Sequence, residues 1–422
     1  MSENLFAYII TNYSDSRAGA ITGTRSTNTV DNSATKDKLS ISNGDAACFN
    51  FLDNSNTSKL VFRKYNYNSS LLPNDIVTAQ GAWSSPTASQ IWDGIKNLHA
   101  VATKGNYLYG TCYDNAKIAV INMTGSTPYE QVTDYSFPST LAQNGHVYHG
   151  EGLAIDGNYL YVLFSDNIGT GYSATHDDGY VLQYKINTST GLLTYQNKYV
   201  RVGKNPFTLE LNNHKLYVCC LGGMQQAGST NSASCISIVT VSSTSMTVQN
   251  AAIPSGVTKD FRDISITGSY AYIFTGYFNT TYSAFNGYIY RTTVSNLAAS
   301  SPSAWTLLKS VSTSGYFWGI HAEGYQNKRF WFIKGNVIEV YGTANGFTLG
   351  TPSKQFNAAA LTNSGYTNIN AACFIVANSS KNEMDGKEDE ELERGESSVG
   401  KTCFGAARLA REARELAERA KE

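Results

Sequence analysis

The sequence predicts an all-β protein: a β-propeller of about seven four-stranded blades, followed by a short α-helical tail. Three observations lead to this fold: a composition rich in strand and turn residues, a recurring hairpin pattern, and an abrupt rise in charge near residue 380. The 422 residues include 28 Tyr and 36 Gly but only 8 Pro. Because aromatic and β-branched residues suit strands and Gly suits turns, this composition favours a sheet protein.

The recurring unit is a short strand, a turn containing Gly or Asn, and a second strand with aromatic residues. Four clear copies and a looser fifth lie at residues 100–109, 152–161, 208–217, 263–272 and 320–331. Alternating apolar residues give half-buried strands, and Gly or Asn supplies the positive φ of a tight turn. Further alternating runs follow, as at 117–122 and 179–185. Each unit therefore holds about four strands, which is the content of one propeller blade.

Two weaker copies, at residues 5–24 and 46–67, bring the total to about seven. Residues 370–377 repeat the Ala-Ala-Cys-Phe pattern of residues 45–51. We therefore expect a strand near 369–377 to join the first blade, close the ring and cover an otherwise open sheet edge. A β-sandwich is the alternative fold, but it would not repeat a whole four-strand unit.

Residues 202–218 begin Val-Gly-Lys-Asn-Pro and end Lys-Leu-Tyr-Val, and residues 152–162 match the second half of the same pattern. This pattern resembles the YVTN-type propeller repeat, closely in two blades and more loosely in three others. The chain departs from that family in lacking Pro in most copies and in its high Tyr and Ser content. The resemblance implies a seven-bladed propeller, as in surface proteins and in lactonases similar to phosphogluconolactonase. No catalytic motif of the family is matched.

The tail differs sharply from the body of the chain. Residues 381–422 carry 21 of the 65 charged residues, so we place a domain boundary between a propeller at 1–380 and a tail at 381–422. Residues 406–421 are rich in helix formers with a narrow apolar stripe, which predicts a helix for docking or oligomerisation. The abrupt change in composition is also typical of a fused segment. Residues 395–402 match a phosphate-binding loop. The acidic run before them cannot be the buried strand which that motif requires, so chance or a grafted fragment explains the match.

Composition excludes several classes of protein. The net charge of −1 leaves no basic surplus to bind nucleic acid, and no apolar window is long enough to span a membrane. The start lacks the features of a signal peptide, yet low charge with abundant Ser, Thr, Asn and Tyr is typical of extracellular and cell-surface proteins, which is the location we expect. The seven Cys form no Cys-x-x-Cys pair. Buried free thiols are expected, with a disulfide from Cys219 or Cys220 to Cys235 as the alternative.

Candidate site residues follow from the repeat, because propellers bind ligands at the channel mouth, where the innermost strands begin. The polar or aromatic residues at those positions are Asn97, His99, His149, Glu151, Asn205, Arg262, Asp263 and Trp318. His149 is a candidate general base with Glu151 as its orienting group. His99, His149, Glu151 and Asp263 could instead hold a divalent cation; no other cofactor is expected. Hydrogen bonding between blades is the structural alternative for this ring.

A second candidate cation site is the segment His-Asp-Asp-Gly at residues 176–179, for which a plain Asp-Gly turn is the alternative. Two functions remain open. The first is a non-enzymatic surface, adhesion or assembly module that binds a protein or carbohydrate ligand and self-associates, with the tail as the candidate segment for self-association. The alternative is an enzyme of lactonase, hydrolase or lyase type, with acid–base or metal chemistry at the channel mouth.

Overall fold

The computed structural model confirms a nearly all-β propeller in which seven sheets follow one another around a ring. The residues that it describes are 2–12, 14–42, 45–65, 75–80, 83, 92, 95–169, 175–223, 228–281, 283–314, 318–323, 329–342, 349–375 and 399–400. The first strands of successive sheets contact one another, so these strands line the central channel.

The chain begins with three strands that belong to the last blade: β1 (Glu3–Thr11), β2 (Ser16–Thr24) and β3 (Thr29–Ile41). Blade 1 consists of β4 (Asp45–Leu52), β5 (Ser58–Tyr65) and β6 (Asp75–Thr78). Blade 2 consists of β7 (Leu98–Lys104), β8 (Tyr107–Cys112), β9 (Lys117–Asn122) and β10 (Glu130–Ser136). Blade 3 consists of β11 (His146–Asp156), β12 (Tyr159–Ile168), β13 (Thr175–Ile186) and β14 (Leu193–Lys204).

Blade 4 consists of β15 (Pro206–Asn212), β16 (Lys215–Cys220), β17 (Cys235–Val241) and β18 (Met246–Asn250). Blade 5 consists of β19 (Phe261–Thr267), β20 (Tyr270–Phe278), β21 (Phe285–Thr293), the short helix α1 (Val294–Leu297) and β22 (Thr306–Thr313). Blade 6 consists of β23 (Trp318–Ala322), β24 (Arg329–Lys334), β25 (Val337–Gly342) and β26 (Lys354–Asn357), followed by helix α2 (Ala358–Leu361). The last strands are β27 (Asn368–Phe374) and β28 (Val399–Gly400).

Ring closure is achieved as the sequence predicts. Strand β27 pairs antiparallel with β1, so that blade 7 has the order β27-β1-β2-β3 and joins the two ends of the propeller. The repeated Ala-Ala-Cys-Phe pattern places β27 and β4 at equivalent inner positions, and the Asn370 side-chain amide donates to the carbonyl oxygen of Ala46 at 2.8 Å. Strand β27 thus completes blade 7 as its innermost strand and covers the edge that β1 would otherwise leave open.

All five predicted hairpins and both weaker copies are strand pairs in the structure. The turns of four of them contain the left-handed residues that tight hairpins require, namely Gly105, Gly157, Asn213 and Gly268, with φ between 47° and 57°. Residues 176–179 lie within β13, so the prediction of an Asp-Gly turn there is wrong. The strand continues through this segment because both neighbouring strands pair with it.

Apolar side chains from adjacent blades fill the spaces between the sheets, as in the cluster formed by blades 2 and 3 around Tyr109, Leu153 and Phe164. Among the described residues, no helix has the length and apolar character needed to cross a bilayer. The six cysteines among the described residues are all free thiols, as expected. The predicted tail helix, the acidic run and most of the phosphate-loop-like segment lie outside the described residues; within that region, β28 pairs with β7 at the inner edge of blade 2.

Candidate functional site

A left-handed residue precedes the innermost strand of blades 2, 4 and 5. These residues are Asn97, Asn205 and Asp260, with φ of 58°, 50° and 62°. Their carbonyl oxygens accept the amide hydrogens of Tyr113, Leu221 and Gly276, at 2.9, 3.0 and 3.2 Å. Asn and Asp tolerate this backbone conformation better than other non-glycine residues. At these polar residues, which the sequence places before the inner strands, the backbone therefore turns and enters the strand that lines the channel.

The side chains of the two asparagines also make structural contacts. Asn97 Oδ1 accepts a hydrogen bond from Arg63 Nη1, and Asn205 Nδ2 donates to the carbonyl oxygen of Gly223 at 2.8 Å. Trp318 is the first residue of β23, as predicted, but its side chain lies outside the described part of the structure. A role in ligand binding stays a prediction for all three residues.

Arg262 and Asp263 are buried at the start of β19, where they bond to backbone groups. Arg262 Nε donates to the carbonyl oxygen of Gly276 at 2.9 Å. Asp263 accepts from the amide of Ile264 at 2.9 Å and from the amide of Ile320, in the next blade, at 3.0 Å. The carboxylate of Asp263 thus ties blade 5 to blade 6, which is the structural alternative noted for this ring.

Among the described residues, the groups best suited to acid–base chemistry form a cluster between blades 2 and 3. The imidazole Nδ1 of His99 lies 3.4 Å from Oε2 of Glu151, and both side chains are at most 6% exposed. Ser165 Oγ donates to Glu151 Oε1 at 2.6 Å. The ring of Tyr113 stacks between His99 and His149, with centroids 4.6 and 4.2 Å apart. His149 Nδ1 lies 3.0 Å from the carbonyl oxygen of Tyr113.

The pairing of His149 as base with Glu151 as orienting group stays a prediction, and three features of the cluster are not evident from the sequence. A β-bulge in β11 shifts the register between Gly150 and Leu153, so simple alternation does not give the direction of the Glu151 side chain. The structure places His99, from the neighbouring blade, beside Glu151. Ser165 and Tyr113 carry no sequence signal apart from their positions near strand ends.

Within the described part of the chain, a group of His, Asp and Glu close enough to share a metal ion is found at His146, Asp166 and Asp177. The set that we predicted at the mouth, which includes Asp263, does not form such a group among these residues. Asp177 belongs to the His-Asp-Asp-Gly segment that the sequence offers as a cation site.

An imidazole in contact with a buried carboxylate can act as a general base. The carboxylate holds the ring in one orientation and stabilises the imidazolium that forms when the ring takes a proton. Ser165 occupies the other oxygen of Glu151 and so fixes the carboxylate. The stacked rings of Tyr113 and His149 continue the cluster towards less buried positions.

No family model matches the chain, and no curated protein sequence matches it. Solved structures do. A putative 6-phosphogluconolactonase from Bacteroides fragilis is 14% identical over 88% of this chain and 98% of that chain, with a TM-score of 0.51. A putative 6-phosphogluconolactonase from Bacteroides uniformis is 13% identical over 88% and 99%, with a TM-score of 0.50. The Pseudomonas aeruginosa periplasmic gluconolactonase is 9% identical over 89% and 99%, with a TM-score of 0.50. The chain is therefore a seven-bladed propeller similar in fold to lactonase-like propellers.

Proposed function

We propose that the cluster around His99 hydrolyses a small lactone or a related cyclic ester. The observation that carries this proposal is the buried contact of 3.4 Å between His99 Nδ1 and Glu151 Oε2 at the predicted channel mouth. A buried, oriented imidazole is suited to removing a proton from water. The fold likeness to propellers named as lactonases supports the choice of substrate class.

In the proposed reaction, His99 takes a proton from water as the water oxygen bonds to the lactone carbonyl carbon. The ring C–O bond then breaks, and the imidazolium returns the proton to the leaving alkoxide, which gives a hydroxy acid. Glu151 stabilises the imidazolium, and Ser165 holds Glu151 in place. His99 and His149 cover the two faces of Tyr113, so the three rings form one stacked aromatic group at the proposed site.

Hydrolysis of gluconolactone, followed by acid release and corrected for the spontaneous rate, tests this proposal. We expect His99→Gln to lower kcat/KM by roughly 100-fold or more, which is the usual contribution of a general base. Glu151→Gln should lower kcat more than it raises KM, since it removes the charge that stabilises the imidazolium. His214→Gln is the matched control, because His214 is an exposed histidine that lies 2.7 Å from Asp156, in the turn between β15 and β16 and outside the His99 cluster. If the wild-type chain hydrolyses a panel of lactones no faster than the spontaneous rate, the proposed lactonase activity is rejected.

A second candidate function is a non-enzymatic module that binds a protein or a carbohydrate, with an extracellular or cell-surface location. One observation favours it: the inner edge of β7 pairs through backbone hydrogen bonds with β28, at Val101 and Ala102. An inner edge that accepts one extended segment can accept a peptide strand from a partner. Light scattering of the full chain and of a chain ending at residue 380, together with glycan-array binding, tests this role. A monomer in both cases, with no glycan bound, would count against it.

A further inference from the structure

A row of charged side chains crosses all four strands of blade 3. His146 lies on β11, Asp166 on β12, Asp177 on β13 and Arg201 on β14. His146 Nδ1 lies 2.8 Å from Asp166 Oδ1, and Arg201 Nη2 lies 3.2 Å from Asp177 Oδ2 and 3.9 Å from Asp166 Oδ2. None of these four residues belongs to the His99 cluster.

The strand register forces the two carboxylates together. Asp166 and Asp177 are direct cross-strand partners, and like charges at such positions are destabilising unless a cation lies near them. Arg201 supplies one positive charge. Its guanidinium also stacks on Tyr180 at 4.2 Å and donates to the Tyr180 hydroxyl at 2.6 Å, so only part of its hydrogen-bonding capacity is directed to the carboxylates.

Asp166 is fully buried, and one of its oxygens is not satisfied. Oδ1 is in contact with His146, whereas Oδ2 is buried without a hydrogen-bond partner. The distance of 3.9 Å from Arg201 Nη2 is too long for a hydrogen bond. Oδ2 of Asp166 and Oδ2 of Asp177 lie 3.9 and 3.2 Å from the same Arg201 nitrogen, so the unsatisfied oxygen is on the side of Asp166 that is near Asp177. A buried carboxylate oxygen without a partner is costly, and this oxygen therefore indicates a missing ligand.

We propose that His146, Asp166 and Asp177 bind a first-row divalent cation of the Zn²⁺ type, with Arg201 as the counter-charge that a bound ion displaces. One imidazole and two carboxylates match the mixed nitrogen and oxygen ligands of Zn²⁺ better than the all-oxygen ligands of Mg²⁺ or Ca²⁺. The three ligand atoms lie within 4.8 Å of one another. Ligands of a tetrahedral Zn²⁺ ion are about 3.4 Å apart, so modest side-chain rotations complete the site.

Displacement of Arg201 is feasible because its side chain is 32% exposed and borders solvent. Arg201 and the ion compete for the same two carboxylates. We therefore expect opposite effects: removing the Arg201 side chain should strengthen binding of the ion, whereas removing a protein ligand such as His146 or Asp177 should weaken it. A site formed by non-specific surface carboxylates would not show this opposite pair of effects.

Calorimetric titration of the full chain with Zn²⁺, after treatment with a chelator, tests the site. We expect one ion per chain. His146→Ala and Asp177→Asn should each weaken binding by at least about 10-fold, and Arg201→Gln should strengthen it several-fold. His214→Ala is the matched control, because His214 pairs with Asp156 but, among the described residues, does not belong to a group of three possible metal ligands. Replacement of Zn²⁺ by Co²⁺ should give visible absorption bands of a low-coordinate site, and these bands should be lost in His146→Ala.

Thermal unfolding and circular dichroism of each variant separate loss of binding from loss of folding, and Asp177→Asn preserves the shape of the side chain. The proposal is overturned if the variants that fold normally bind Zn²⁺ as the wild type does. It is also overturned if His214→Ala weakens binding as much as His146→Ala, or if Arg201→Gln weakens it. Binding of Mg²⁺ in preference to Zn²⁺ would overturn the assignment of the ion.

Discussion

Removal of the Glu323 carboxylate should destabilise the junction between blades 6 and 7 more than most single substitutions. Arg329 donates to both oxygens of Glu323, from Nε at 3.0 Å and from Nη2 at 2.8 Å, and the Trp331 indole also donates to Oε1. Both charged side chains are 2% exposed. Arg329 Nη1 donates in turn to the carbonyl oxygen of Thr29 in β3, at 3.3 Å, which links the pair to blade 7.

Breaking a buried ion pair from one side costs about 3–5 kcal/mol, because the remaining charge is left without compensation. For Glu323→Ala in this 422-residue chain, that loss corresponds to a fall in Tm of roughly 3–6 °C. Replacement of both residues, as in Glu323→Leu with Arg329→Met, should cost far less. Burial raises the pKa of Glu323 even though Arg329 lowers it, which indicates that desolvation of this carboxylate outweighs its attraction to the guanidinium.

Urea denaturation of the two single variants and the double variant measures the coupling. Asp134→Ala is the matched control, because Asp134 pairs with Lys117 at 3.0 Å where both side chains are about one-quarter exposed. A partly exposed pair contributes at most about 1 kcal/mol. A loss below 1 kcal/mol for Glu323→Ala, or a double variant as unstable as the sum of the singles, would refute the reasoning.

Three further predictions concern single positions. Burial raises the pKa of Asp260 above its ordinary value of 3.8, so the folded state favours the protonated form and stability should fall as the pH rises through that raised pKa. Asp260→Asn should flatten this pH dependence of the unfolding free energy in urea titrations from pH 4 to 7, and an unchanged slope would contradict the prediction. Gly191→Ala should lower the free energy of unfolding by at least about 2 kcal/mol, because Gly191 has a φ of +72° and an added Cβ would lie 2.3 Å from Cδ1 of Tyr107. Gly268→Ala has open space around the new Cβ and should cost only about 1 kcal/mol. The sulfur atoms of Cys48 and Cys373 lie 3.7 Å apart across the ring closure, so a disulfide reagent should link the two residues. The linked chain should migrate with altered mobility on non-reducing gels, and Cys48→Ser or Cys373→Ser should abolish this band.

The blade architecture could be predicted because its determinants are local in the sequence. Alternating side chains define each strand, and Gly157 or Asn213 marks the turn of a hairpin through a backbone conformation that few residues adopt. The repeat then implies a ring, and the duplicated pattern around Cys48 and Cys373 indicates which late strand closes it. These features need no knowledge of contacts between blades.

The candidate site depended on the tertiary structure. His99 and Glu151 meet across two blades, and the bulge after Gly150 changes the direction of a side chain that regular alternation would place elsewhere. The row that ends at Arg201 also needs the pairing register of four strands, which hydrophobic alternation leaves undetermined for polar segments. The repeated backbone and the closing strand could be predicted from the sequence alone, because hairpins form from neighbouring residues. The tertiary structure decided which charged groups meet, because register, bulges and packing between blades position them.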